Sequence, residues 1–477
     1  MPRARRSRRT TGLVRSTAGI LLAAALVGCS PEPPHFENLV VILVDTLRAD
    51  HLPCYGYDRD TAPHLCRLAA EGWQLDASPT SSWTKPSVAS LLTGVSPQRH
   101  QAIGRADSLP VGLPYLPAEL AAAGFDTAAY VGNRNVGRKF GFDRGFHRFE
   151  MTRATGKVDG RRVTDEALAL LPELEQPFFF YVHYVDPHDP YRPAQAWHDP
   201  GTPPDPRPYV QPQRLRSGEE PMKADTLSRL IDQYDGEIRE VDTEIDRLLG
   251  ALGDRGLLDR TLVVVTSDHG EEFGEHGGLT HGTTLYQELL TVPLIFWTPG
   301  GLPAVASRRS FYQLDFRATV LEALGVSAPP PESDEGVSRW RELRRGGDLG
   351  RSEDRFFHLD LDGRGSVALE HGPAKLILDV AAPHDRLFDL ADDPGEQHPE
   401  ATATPELEEL RRRLATHHNR ETARAAERRR ETLDDETRRG LAALGYLQMD
   451  TPQEDLEERT LPERIDRERG LAAVPAP

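Results

Sequence analysis

The chain has 477 residues, 38% of them hydrophobic and 28% charged, with 39 prolines and a formal net charge of −18. That length holds one large α/β domain with an appendage, or two to three ordinary domains. The acidic balance repels phosphate backbones and argues against nucleic acid as a partner.

The first 28 residues carry six arginines and no acid. A short apolar stretch follows at residues 19–27, too short to span a bilayer comfortably. It ends in Leu26-Val27-Gly28-Cys29, which resembles the lipobox of a bacterial lipoprotein signal. A plain cleaved signal peptide and an uncleaved anchor are the alternatives. The lipobox implies that residues 1–28 are removed and that a lipidated Cys29 anchors the protein in the cell envelope. Ser30 behind it resembles the sorting choice for the outer membrane, facing the periplasm. Residues 29–37 read as a linker. Cys54 and Cys66 are then either a disulfide formed in an oxidising compartment or two free thiols.

From residue 38 strands and helices alternate. NLVVILV (38–44), DTAAYV (126–131), FFFYVH (178–183), TLVVVT (261–266) and PLIFWT (293–298) are continuous apolar runs of the kind buried in a parallel sheet. Between the third and fourth, Leu227, Leu230, Ile231, Tyr234, Ile238, Val241, Ile245, Leu248 and Leu252 make one helical stripe. Acids fill its opposite face. This order predicts an α/β fold whose large, mostly parallel sheet is sandwiched by helices, over residues 38–327. A proline cluster near residues 328–332 marks a boundary. Beyond it RFFHLDL, GSVALEH and AKLILDV are short and strand-like, and a helix begins near Pro405. Residues 328–448 therefore read as a small antiparallel sheet plus helix, and 449–477 as a disordered tail.

In open α/β sheets ligands bind beyond the carboxyl ends of the strands. Three of the apolar runs end in metal-type ligands. The first runs into Asp45, the third into YVDPHDPY with Asp186 and His188. The fourth runs into TSDHGEEFGEHGGLTHG with Asp268, His269, His276 and His281. Carboxylate oxygen with imidazole nitrogen suits a divalent cation.

These motifs, with YDGEIREVD (234–242), TVPLIFWTPG (291–300) and LFDLADDPGE (387–396), resemble the sulfatase family of the alkaline phosphatase superfamily, over roughly residues 38–395. The resemblance implies one metal site, with Asp45 matching its strand-end aspartate and Asp268 and His269 its Asp-His or Asp-Asn pair. It also implies a nucleophile turn at SSWTKPSVASLLTG (81–94). In sulfatases that turn reads Cys (or Ser)-x-Pro-x-Arg, and the first residue becomes formylglycine. Here Thr84, Pro86 and Val88 stand at those places, and Thr46 replaces a second family aspartate. Threonine cannot follow the formylglycine route, but phosphoryl-transferring relatives use an unmodified threonine there. A cation held by Asp45, Asp268 and His269 would lower the pKa of a coordinated Thr84 hydroxyl. His281 resembles the histidine that contacts the phosphoryl group in those relatives, and His188 the family's substrate-facing histidine, which would protonate the leaving oxygen. Lys85 adds a positive charge beside the nucleophile, or else faces solvent. An imidazole ligand favours zinc or manganese, with calcium second.

The expectation is therefore an enzyme acting on a phosphate or sulfate ester, possessing one divalent metal ion and a Thr84 nucleophile. The rivals are a sulfuric ester hydrolase without formylglycine and a non-catalytic protein that binds an anionic glycan or lipid headgroup.

Overall fold

The structure, a computed structural model, describes residues 36–452 except 154–155, 199, 304–308, 328–335, 347–348, 350–353, 363, 381, 383, 401–403 and 448–450. The lipobox with Cys29, the proline cluster and, apart from Thr451 and Pro452, the expected tail lie outside the described residues.

Eight strands form the central sheet: β1 (Asn38–Val44), β2 (Trp73–Ser78), β3 (Asp126–Val131), β4 (Arg148–Met151), β5 (Phe178–Tyr184), β6 (Thr261–Thr266), β7 (Val292–Trp297) and β8 (Arg309–Tyr312). Their spatial order is β8-β2-β7-β6-β1-β5-β3-β4. β1 lies inside and pairs in parallel with β5 and β6, placing Val44 opposite Tyr184 and Leu43 opposite Thr266. β7 runs against both β6 and β2. Every β1 residue is buried because both faces are covered. Leu39, Val41 and Leu43 join one apolar layer, Val40, Ile42 and Val44 the other.

The helices that position the site are α1 (Pro63–Glu71), α2 (Thr84–Thr93), α3 (Gly160–Leu170), α4 (Ala224–Asp254), α5 (Pro405–Ala423) and α6 (Asp435–Ala443). In α4 the expected stripe is buried against the sheet from Leu230 to Leu252, with Leu227 and Ile231 partly buried. Three acids of that helix are buried too. Asp235 binds His51, Tyr57 and Arg59, and Asp242 accepts the first free amides of α1 from His64 and Leu65. Glu237 pairs with Lys157. The helix therefore fixes its neighbours by polar contacts as well as by packing.

The C-terminal sheet is an antiparallel meander of β9 (Arg355–Leu361), β10 (Arg364–His371), β11 (Ala374–Asp379) and β12 (Arg386–Asp389). The two-residue period of a strand splits its apolar residues between two partners. Phe357, Leu359, Ala368 and Ile377 join the core of the large sheet. Val367, Leu369, Leu376 and Leu378 pack with Leu407, Leu410 and Leu414 of α5. Truncating Leu376, which is wholly buried, to alanine would cost about 2–5 kcal/mol. Cys54 and Cys66 form a disulfide with a Cα–Cα distance of 5.2 Å, which decides between the two expectations for that pair.

Candidate active site

The neighbouring strands β6, β1, β5 and β3 deliver polar side chains to one edge of the sheet. Asp45 follows β1, Asn133 follows β3, and Asp268 and His269 follow β6. The fourth side of the site is the N-terminus of α2, whose first residue is Thr84. Ser87 ties that turn down by donating from Oγ to the Asp268 carbonyl at 2.6 Å. The loop after β6 is held in place by Ser267, which accepts from the Leu47 amide at 2.9 Å and donates to the His269 carbonyl at 2.8 Å. Gly270 is required there for space, since a Cβ would lie 1.9 Å from the Glu288 carbonyl oxygen.

Four donor atoms meet at this point. His269 Nε2 lies 3.3 Å from Thr84 Oγ1, 3.4 Å from Asp268 Oδ2 and 3.7 Å from Asp45 Oδ1. Its Nδ1 lies 2.9 Å from the Gly270 carbonyl, which only accepts, so Nδ1 carries the hydrogen and Nε2 turns its lone pair to the group. Asp45 Oδ1 and Asp268 Oδ2 are buried with no hydrogen-bond partner. Unpartnered carboxylate oxygens are costly inside a protein. Tetrahedral ligands about 2.1 Å from a zinc-sized ion stand about 3.4 Å apart, which matches these separations. The donor set fits a divalent cation.

The electrostatics agree. Burial and the charge of Asp45 push the Asp268 pKa up to about 6, as expected for two carboxylates sharing one site. Burial would also raise Asp45, but His188, His183 and His269 hold it well below the usual carboxylate range. Asp45 Oδ2 accepts from Asn133 Nδ2 at 2.6 Å and lies 3.3 Å from His183 Nε2. Tyr181 faces the other nitrogen of His183 at 3.3 Å. The tautomer with its hydrogen on Nε2 satisfies both contacts, so His183 orients Asp45. Asp45, His183 and Asp268 can also bring one ligand atom each within 4.8 Å of one another.

His188 and His281 stand beside this group. Their rings are 4.6 Å apart, and His281 is 4.6 Å from His269. His281 Nδ1 lies 2.8 Å from Glu271 Oε1. Burial pushes His188 down to about 3 and His281 well below its ordinary value. Tyr446 completes the wall, with its hydroxyl 2.9 Å from Thr84 Oγ1 and 2.8 Å from His188 Nε2. Tyr446 also lines a cavity of about 700 Å³ together with Arg105, Arg214, Arg216 and Asp362.

Three expected residues are elsewhere. Lys85 is neither a charge beside Thr84 nor solvent-facing. It is wholly buried and donates to the carbonyls of Gly104, Arg105 and Asp107, with its ammonium 3.4 Å over the Phe140 ring. One helical step turns a side chain by about 100°, so Lys85 leaves α2 on a different face from Thr84. Asp186 accepts the Gly160 amide at the start of α3 and pairs with Lys157. His276 stacks on Tyr286, with its nitrogens on Glu288 Oε1 and the Glu396 carbonyl. Glu272, His276 and Glu288 approach one another as ligands might, but that imidazole already has two acceptors. Sequence reasoning missed Asn133, His183 and Tyr446. The strand-end rule reaches Asn133, and His183 is the one histidine in FFFYVHY. No spacing points to Tyr446.

Against known proteins, the family model described as Sulfatase matches residues 37–326. The low-salt glycan biosynthesis sulfotransferase Agl7 of Haloferax volcanii is 28% identical, over 64% of this chain and 65% of its own length, just under two thirds. Human arylsulfatase A is 29% identical, over 65% of this chain and 68% of its own. Among solved structures, one of a protein in complex with its substrate D-glucosamine-2-N,6-O-disulfate has a TM-score of 0.68 at 19% identity, covering 81% of this chain and 98% of that one. The phosphonate monoester hydrolase of Agrobacterium radiobacter has a TM-score of 0.63 at 19% identity, covering 81% and 95%. At these identities the structures establish the fold: a large mostly parallel sheet flanked by helices beside a small antiparallel sheet.

Proposed function

The chain belongs to the sulfatase family, and from that premise we propose that it is a metal-dependent hydrolase or transferase of phosphate or sulfate esters with Thr84 as its nucleophile. The observation that carries this reading is the convergence of Thr84 Oγ1 and two unpartnered carboxylate oxygens on His269 Nε2. Asp45, Asp268, His269 and Thr84 would hold a divalent ion, which when bound lowers the pKa of a hydroxyl and neutralises charge on the transferred group. The imidazole favours zinc or manganese over calcium.

The residues do the rest. Asn133 donates to Asp45 and, at 3.5 Å, to Thr84 Oγ1, fixing the hydroxyl for in-line attack. Free amides in the first turn of α2 face negative charge developing near Thr84. In this reading His188 would return a proton to the leaving oxygen, and His281, steadied by Glu271, would contact the transferred group. The names of similar proteins bracket the substrate class, from arylsulfatase to phosphonate monoester hydrolase. Threonine at position 84 and valine at 88 favour an unmodified nucleophile, and hence phosphorus first. Family membership keeps direct attack on a sulfate ester as the second reading.

A panel of p-nitrophenyl phosphate, bis(p-nitrophenyl) phosphate, phenylphosphonate and p-nitrophenyl sulfate esters tests the reading. A slow substrate should leave an adduct on Thr84, seen by peptide mass spectrometry. Thr84→Ala should lose adduct and turnover while keeping metal, and Thr84→Ser should keep part of the activity. Thr84→Ala turning over at the wild-type rate would remove the covalent mechanism. We also propose a lipid-anchored envelope protein, supported by the Leu26–Cys29 motif and the Cys54–Cys66 disulfide. Cys29→Ser should then appear in the soluble fraction, and its retention on membranes would refute the anchor.

A further inference from the structure

We propose that Tyr446 is a catalytic residue of this centre, its hydroxyl bridging Thr84 and His188 and passing the nucleophile's hydrogen toward the leaving group. The inference rests on Thr84 being the nucleophile. It adds a residue from beyond the 37–326 segment that matches the family model.

The hydrogen bonds have a direction. His188 Nδ1 faces the Asp189 carbonyl, which can only accept, so the ring hydrogen sits on Nδ1 and Nε2 offers a lone pair. Tyr446 has a single hydroxyl hydrogen, and Nε2 at 2.8 Å can take it only as an acceptor. The Tyr446 oxygen is then left to accept from Thr84 at 2.9 Å. The chain runs Thr84 O–H to Tyr446 O–H to His188 Nε2, one way.

The placement is built. α6 ends in a turn at Gly445, whose φ of 73° is the left-handed conformation that glycine adopts freely. The Gly445 amide donates to Ala442 and the Tyr446 amide to Leu441, which turns the next side chain inward. Its ring lies 5.3 Å from His188, 5.7 Å from His281 and 6.2 Å from Trp83, and the residue is 4% exposed.

The step balances. As the Thr84 oxygen bonds to phosphorus or sulfur, its hydrogen passes to the Tyr446 oxygen and the Tyr446 hydrogen passes to His188 Nε2. The bond to the leaving oxygen breaks, its electron pair stays on that oxygen, and His188 Nε2 returns the hydrogen there. Tyrosine and histidine end as they began.

A bare plug is the rival, because Thr84 is 0% exposed beneath this ring. Tyr446→Phe keeps the ring and removes the bridge. In the full-length, metal-loaded protein we expect kcat to fall on the order of 10²-fold on an alkyl ester, with KM, metal content and melting temperature close to wild type. The loss should be smaller for a p-nitrophenyl ester, whose leaving oxygen needs no proton; a structural role would lower both equally. Tyr446→Ala should also be slow. Phenylalanine at the wild-type rate on the alkyl ester, equal losses on both esters, or an alanine variant faster than wild type would each overturn the proposal. Thr84→Ala run alongside separates the two failures. If it is inactive while Tyr446→Phe is unimpaired, only this inference falls. If Thr84→Ala retains wild-type turnover, the nucleophile reading falls and this one with it.

Discussion

At the edge of the large sheet His183, His188, His269 and His281 stand among Asp45, Asp268 and Glu271, whereas around the small sheet His358 and His417 have histidines and arginines as their nearest charges and His100 meets backbone groups. Both groups are buried except for His281, which is half-buried. In the second, His100 accepts the Ala102 amide on Nδ1 and faces the Pro86 carbonyl with Nε2, and His417 stacks on Phe356. His358 has no hydrogen-bond partner on either nitrogen among the described residues. Three of these imidazoles thus fill space as neutral rings. What separates a site from packing here is the pair of unpartnered carboxylate oxygens turned toward one nitrogen. Buried histidine alone does not make one.

The comparison breaks most visibly at Asp268. Asp268→Ala removes one of those oxygens, and we expect bound metal to be lost and turnover to fall about 10³-fold, several kcal/mol of transition-state stabilisation. Elemental analysis beside the ester assay checks it, and His358→Leu should leave metal stoichiometry unchanged. Equal metal loss in both variants would erase the distinction drawn above.

Asn133→Ala probes the support around the ligands. It leaves every ligand in place but frees Asp45 Oδ2 and Thr84 Oγ1 from their shared donor. Metal affinity should weaken about 10- to 100-fold, as read by competition with a chelator. No change would make Asn133 a bystander.

The smallest effect separates the groups by acid. Burial pushes the His100 pKa down to about 3, and those of His358 and His417 down as well. Unfolded histidine titrates near 6.5, about which the unfolded chain starts to bind more protons than the folded one. The stability these neutral rings contribute is complete above about pH 6.5 and declines as pH falls toward 3. Calorimetric melting temperatures should drop from pH 6.5 to pH 4, and His358→Leu should flatten that slope. A variant as acid-sensitive as wild type would take His358 out of the account.

The fold was legible where burial is two-sided. NLVVILV and TLVVVT read as strands because every residue of β1 and β6 is covered. WQLDAS in β2 alternates and lies near one edge of the sheet, and the four residues of β4 are too short to signal. Strand ends likewise exposed Asp45, Asp268 and His269, because the chain turns there and the next side chains face the ligand edge. Adjacency misled at Lys85, where helical rotation separates neighbours. It misled again at His276, which sits in the turn of a short ladder pairing Glu272–Phe273 with Leu279–Thr280, while His281 follows that ladder back to the site. Tyr446 was beyond reach because its meaning arises only when α6 packs near Asn133.

The bond between Thr84 and Tyr446 joins positions 362 residues apart. During synthesis Thr84, Asp45 and His188 leave the ribosome long before α6 exists. The wall of the pocket therefore arrives well after its floor, and a chain cut short after the small sheet carries the acids and imidazoles of the centre without their cover. A stop codon or a protease acting within α6 therefore reaches the pocket around Thr84 from a distant stretch of the chain.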